Sequence, residues 1–88
     1  MVAVKSAPEG DGWRCEVTVQ EGGTHTGHTV RVSRADLDRW GRGGNVDDLV
    51  RRSFEFLLER EPATSILRTF DLSVIERYFP EFDHHFRR

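Results

Sequence analysis

A chain of 88 residues, 36% of them hydrophobic, builds one small domain over residues 1–88 and leaves few residues for a deep pocket. Its formal net charge of −2, from 15 acidic and 13 basic residues, removes the bulk attraction to nucleic acids and to anionic membranes, so we expect neither as a partner. A single cysteine, Cys15, excludes an intrachain disulfide and a Cys-rich zinc site, and no apolar stretch approaches the roughly 18 residues of a membrane span. We therefore expect a cytoplasmic protein.

The first part of the chain predicts a β-hairpin. Residues 1–12 offer a short edge strand containing Val2 and Val4, followed by turn residues, and this end is a candidate for a mobile segment. Apolar and polar side chains then alternate over residues 13–20 and again over residues 28–33, so each run buries one face. A two-residue turn at Gly22 and Gly23 fixes the register, although a four-residue turn has the same parity. The predicted pairs are Val19 with Thr26, Val17 with His28, Cys15 with Val30, and Trp13 with Val32.

One long amphipathic helix is predicted over residues 45–61. Asn45 suits the N-cap, where its side chain accepts from the N–H of Asp48, and Pro62 marks the end. The spacing also pairs Asp47 with Arg51, and Asp48 with Arg52, one turn apart. The apolar arc spans roughly 200°, about twice what one surface covers. Two surfaces must therefore pack on this helix: the sheet together with further helices of the same chain, or a dimer partner.

Short helices are predicted on both sides of the long one. Ser33 with Asp36 resembles a capping box for a helix ending at Trp40, and helical spacing continues over residues 65–70. Asp71 or Ser73 can cap a further short helix, and Ser73 with Glu76 forms a second capping box. This helix ends before Pro80, and residues 83–88 are a candidate mobile tail. The fold class is therefore α+β: an antiparallel hairpin, with three strands if the first segment joins it, packed against one long helix and two or three short helices.

The second half also resembles a known family. The stretch SFEFLLEREPATSILRTFDLSVIERYFPEF, residues 53–82, is similar to the C-terminal half of a family of small uncharacterised bacterial proteins, and RVSRADLDRW, residues 31–40, resembles part of its first half. The similarity covers residues 13–82. It implies no activity, cofactor or functional residue.

Three patterns that carry chemistry elsewhere are weak here. His25, His28, His84 and His85 could supply nitrogen ligands to zinc or nickel, but no cysteine or well-spaced carboxylate completes the set, so we predict no metal site. Cys15 lies near His28 on a buried strand face, where a packed thiol is expected rather than a nucleophile. The GRGG segment, residues 41–44, lacks the spacing and lysine of a phosphate-binding loop. We therefore predict no catalytic residue and no cofactor, and an enzyme is disfavoured.

The remaining signal is a surplus of apolar and aromatic side chains. It favours a non-catalytic protein-binding or self-assembly module, with this chain itself as the expected partner in a two-fold homodimer. A small-molecule site in a groove between helix and sheet is the first alternative, and weak nucleic-acid or metal binding is the second. The candidate interface residues are Phe56, Leu58, Tyr78, Phe79, Phe82 and Phe86.

Overall fold

The computed structural model describes residues 1–87 and has the predicted α+β class. A four-stranded sheet forms one layer, and the helices pack on its apolar face. In chain order the elements are β1 (Val2–Glu9), β2 (Gly12–Glu21), β3 (Thr24–Val32), α1 (Arg34–Trp40), α2 (Val46–Leu58), a 3₁₀ turn (Ala63–Ser65), β4 (Thr69–Asp71), α3 (Val74–Tyr78) and α4 (Glu81–Phe86).

The predicted hairpin register is confirmed at every pair. β2 and β3 are antiparallel, with Val19 opposite Thr26, and Cys15 opposite Val30. Their two-residue turn needs Gly22, which has a φ of +59° that side chains rarely adopt. β1 joins β2 through a second two-residue turn and forms one edge of the sheet. The alternation of polar and apolar residues therefore places one sheet face in the core and leaves the other exposed.

The prediction of at most three strands, with residues 65–70 helical, is wrong. The chain makes a single 3₁₀ turn there and then becomes β4, which pairs parallel with β3 and forms the opposite sheet edge. Backbone bonds to β3 decide this: the N–H of Thr29 donates to the carbonyl of Arg68 at 2.6 Å, and the N–H of Leu72 donates to Arg31 at 2.9 Å. These tertiary bonds outweigh the weak helical preference of a short segment.

α2 is shorter than predicted and lies between two surfaces. It ends at Leu58 rather than at residue 61. The N–H of Arg60 donates to the carbonyl of Leu57, three residues back, at 2.9 Å, a tightening that is typical of a final helix turn. On one flank Phe54 packs against the sheet, and on the other Phe56 packs against the C-terminal helices. The wide apolar arc is thus covered within one chain, apart from half-buried Leu58.

The C-terminal part departs from its predicted caps. Ser73 makes no side-chain cap bond, because its backbone is already helical (φ −61°, ψ −18°) rather than extended as an N-cap requires. α4 covers most of the segment 83–88 that we considered as a mobile tail, and Arg88 lies outside the described residues. Trp40 ties α4 to the rest of the core by donating from its indole N–H to Asp83 at 2.9 Å.

Candidate functional site

An apolar pocket lies beside β4, at the edge of the helical layer. Its volume is about 290 Å³. We call it the β4 pocket. Its lining residues come from the end of α2, the segment before β4, β4 itself and α3, and they are Leu57, Glu61, Ser65, Ile66, Leu67, Phe70, Val74, Ile75, Tyr78 and Phe79.

The walls of the β4 pocket are set by contacts within the core. His28 holds the segment before β4: its Nδ1–H donates to the carbonyl of Leu67 at 2.8 Å, since a carbonyl can only accept. The ring of Phe54 lies 5.2 Å from the ring of His28 and 6.1 Å from that of Phe70, so α2, β3 and β4 meet at one point. The pocket is therefore built into packed elements rather than into a free loop.

The rim of the β4 pocket carries unusual exposed apolar surface. Among residues 1–87 three large hydrophobic side chains are exposed: Met1, Leu67 and Tyr78. Two of them lie on this rim, with Leu67 48% and Tyr78 67% exposed. Apolar side chains around a concave site are typical of binding surfaces, whereas a single exposed hydrophobic residue is not.

Glu61 is the one carboxylate that lines the β4 pocket. Burial against the apolar wall raises the pKa of Glu61 above its ordinary value, because desolvation penalises the charged form. A cation placed beside Glu61 would favour the charged form. The pocket therefore combines a mostly apolar lining with one carboxylate, which suits a positively charged or hydrogen-bond-donating group.

The six candidate interface residues fall into three places. Tyr78 and Phe79 line the β4 pocket, whereas Leu58, at the same C-terminal end of α2 as Leu57, is half-buried next to Val2 and does not line the pocket. The other three are buried in a cluster between α2 and α4, where the rings of Phe56 and Phe82 lie 5.2 Å apart and Arg60 lies 3.5 Å above the ring of Phe56. That cluster is formed by Phe56, Phe82 and Phe86.

The four histidines are not brought together. His28 is buried, and its Nε2 lies 2.9 Å from the hydroxyl of Thr26, so both ring nitrogens are engaged by the protein itself. His25 is exposed on β3, and His84 and His85 are exposed on α4. Within residues 1–87 there is no group of three or more His, Cys, Asp or Glu side chains that could hold a metal ion.

Cys15 is a packed thiol. It is fully buried on β2, and burial, the charge of Asp47 and the charge of Glu16 together raise its pKa to about 11. A thiol with that pKa stays protonated at neutral pH and is a poor nucleophile. The strand register places Cys15 near His28, as predicted, but a protonated, buried thiol does not act as a nucleophile there.

Sequence reasoning missed most of the β4 pocket, because it read residues 65–70 as helix. The signal for a strand was short: Phe70 and Leu72 are buried and Thr69 and Asp71 are exposed, but exposed Arg68 breaks the alternation that would begin at buried Ile66. β-branched Thr69 supports the same assignment. Leu67 then falls on the solvent side of the alternation, and its exposure follows.

Comparisons of this chain with protein-family models, with curated proteins and with solved structures give no match. The resemblance of residues 13–82 to a bacterial family stays a prediction. No helix within residues 1–87 has the length and apolar character needed to cross a membrane.

Proposed function

We propose that this protein is a non-catalytic protein-binding module, and that the β4 pocket receives an apolar side chain of a partner polypeptide. The observation that carries the proposal is the pairing of a formed apolar pocket with two large exposed hydrophobic side chains, Leu67 and Tyr78, on its rim. Leaving both side chains in water costs free energy that a bound partner would recover. A cytoplasmic location belongs to the same proposal and agrees with the free thiol of Cys15.

The size and surroundings of the pocket favour a polypeptide over a small molecule. A volume of about 290 Å³ lies just below the roughly 300–1,000 Å³ typical of small-molecule sites. The pocket also adjoins a sheet edge. The backbone groups of Arg68 and Leu72 bond to β3. Because the backbone groups of successive strand residues point in opposite directions, those of Thr69 and Asp71 point away from the sheet. A partner strand could bond there and place alternate side chains in the pocket.

Glu61 suggests the charge of the partner. Because it is the one carboxylate in a mostly apolar lining, we expect the apolar anchor to be followed or preceded by lysine, arginine or a free amino terminus. The exposed rim position of Leu67 would then pack against the anchor.

Selection of random peptides displayed on phage tests this proposal. Wild-type protein should enrich peptides that carry a large aliphatic or aromatic residue beside a basic one. Leu67→Glu places a charge on the pocket rim at an exposed position, so it should abolish their binding without loss of folding. Thr18→Glu is the matched control, because Thr18 is exposed on the polar face of β2 and should leave binding unchanged.

Two results would contradict the proposal. One is failure of the wild type to enrich any peptide over Leu67→Glu. The other is enrichment of peptides that bind both variants equally, since these peptides would use another surface. Crystals that show a small molecule retained in the pocket from the expression host would instead support the small-molecule alternative.

A further inference from the structure

β1 is the second edge of the sheet, and its hydrogen-bonding direction can be deduced. The N–H of Gln20 donates to the carbonyl of Met1 at 2.9 Å, and the amino group of Met1 donates back to Gln20 at 2.7 Å. This pair exchanges both bonds, so in an antiparallel ladder every second residue from Met1 onward also bonds to β2. The backbone groups of the even-numbered residues of β1 therefore point away from the sheet: Val2, Val4, Ser6 and Pro8.

These outward-facing groups have no backbone partner within residues 1–87. The position of Pro8 agrees with the deduction, because a strand tolerates proline where the missing N–H would point outward. An eight-residue edge with free donors and acceptors is a template for pairing with another strand.

Apolar side chains follow the same edge on the helix side. Val2, Val4 and Leu58 are only half-buried, although all three pack against the core. Leu58 and Val2 share a shallow depression with Glu55. A second sheet edge placed here would cover these side chains, so the edge offers apolar contact as well as backbone bonds.

We propose that a second copy of this chain pairs with β1, antiparallel, about a two-fold axis at Val4. Even-numbered residues must then face even-numbered residues, so Val4 faces Val4 of the partner copy and Val2 faces its Ser6. An axis at Lys5 would satisfy the same parity but would oppose two lysines directly, which is destabilising. The axis at Val4 instead places Lys5 opposite Ala3 and leaves Pro8 outside the paired stretch.

The charges on α2 suit this arrangement. Leu58 lies beside Val2, whereas Asp47 lies close enough to Cys15 to raise the pKa of its thiol, and Cys15 pairs with Ser6. α2 therefore runs antiparallel to β1. A two-fold axis at Val4 brings the N-terminal half of one α2 towards the C-terminal half of the other. Exposed Arg51, which binds Asp48 of its own chain at 2.7 Å, then also approaches exposed Glu55 of the partner copy. This interface is independent of the β4 pocket, which lies at the opposite edge.

Sedimentation equilibrium from micromolar to millimolar concentration tests the proposal with a matched pair of variants. Ser6→Pro and Ser6→Ala both lose the hydroxyl, but only the proline loses the outward N–H. Wild type and Ser6→Ala should show the same monomer–dimer equilibrium, whereas Ser6→Pro should dimerise roughly tenfold or more weakly. A wild type of monomer mass throughout, or equal dimerisation of the two variants, overturns the proposal.

A cross-linking measurement is decisive if Ser6→Pro fails to fold. Val4→Cys places two thiols opposite each other at the axis, where hydrogen-bonded antiparallel residues lie about 5.5 Å apart, within disulfide range. Ala7→Cys lies on the same strand but far from its copy. Mild oxidation should link Val4→Cys and not Ala7→Cys, while the buried thiol of Cys15 remains unreactive. Equal linking of both variants, or of neither, would overturn the pairing.

Discussion

His28 illustrates how one residue can join three elements. It lies on β3, its ring packs against Phe54 of α2, and its Nδ1–H donates to the carbonyl of Leu67 just before β4. The other ring nitrogen, Nε2, lies 2.9 Å from the hydroxyl of Thr26, a group that can donate or accept a hydrogen bond. Every polar atom of this buried ring is therefore engaged, and the residue positions a wall of the β4 pocket rather than a metal ion.

Removing His28 should therefore cost stability. His28→Ala leaves a cavity beside Phe54 and an unpaired carbonyl at Leu67. We therefore expect the free energy of unfolding, measured by urea denaturation, to fall by about 2–4 kcal/mol. The control is His25→Ala on the same strand, where the side chain is exposed and the change should stay within about 0.5 kcal/mol. Equal midpoints for the two variants would show that the His28 bonds do not hold the segment before β4.

The N-caps of α1 and α2 were predictable, because in each a single side chain accepts from the backbone of the first helical turn. Asn45 accepts from the N–H of Asp48 at 2.8 Å, and Ser33 accepts from that of Asp36 at 3.0 Å, as predicted. Ion pairs were less predictable, because Asp48 binds both arginines of α2, at 2.7 Å and 3.0 Å, while one carboxylate oxygen of Asp47 is buried without a partner within residues 1–87. Side chains that can reach several partners are not assigned by spacing alone.

At the scale of elements, α2 organises the molecule because both of its apolar flanks are used. The sheet covers one flank, and α4 with its aromatic cluster covers the other. The width of the arc predicted two covering surfaces, but it did not tell which elements would supply them. Near its centre, Ser53 is fully buried and its hydroxyl donates to the carbonyl of Leu49 at 2.8 Å, so it remains satisfied inside the core.

Leucine truncation at two positions measures the central role of α2. Leu57→Ala removes a buried side chain from the end of α2 and should destabilise the fold by about 2–5 kcal/mol. Leu67→Ala is the same chemical change at a side chain that is 48% exposed, and it should cost less than about 1 kcal/mol. Urea denaturation followed by far-ultraviolet circular dichroism compares them. If Leu57→Ala unfolded like wild type, α2 would not be the centre of the core.

β4 shows what the sequence alone does not determine. Its three residues have too little pattern to identify a strand, and it is held by bonds to residues about 40 positions earlier in the chain. The apolar residues of the segment 65–70 are too few to distinguish a helical turn from a short strand. The β4 pocket depends on that outcome, so the pocket was as difficult to predict as the strand.

At the scale of the whole molecule, the chain covers its own apolar arc except at half-buried Leu58, and within residues 1–87 two sheet edges have no partner strand. Phe56, Phe82 and Phe86 are buried together, so the C-terminal aromatics meet their own α2. One free edge, β4, adjoins an apolar pocket, and the other, β1, offers a self-complementary row of backbone groups. We therefore assign partner binding to one edge and self-association to the other, as proposals with separate tests.

Closure of the molecule by α4 can be tested with two substitutions in that helix. Phe82 is fully buried against Trp40 and Phe56, with ring centres 5.0 Å and 5.2 Å away, so Phe82→Ala should destabilise the fold by about 3–5 kcal/mol. His84→Ala changes an exposed side chain of the same helix and should have little effect. Urea titrations that follow tryptophan fluorescence report this directly, since Trp40 contacts Phe82. Matching transitions for Phe82→Ala and His84→Ala would mean that α4 is peripheral, and the apolar arc of α2 would then need a cover from outside the chain.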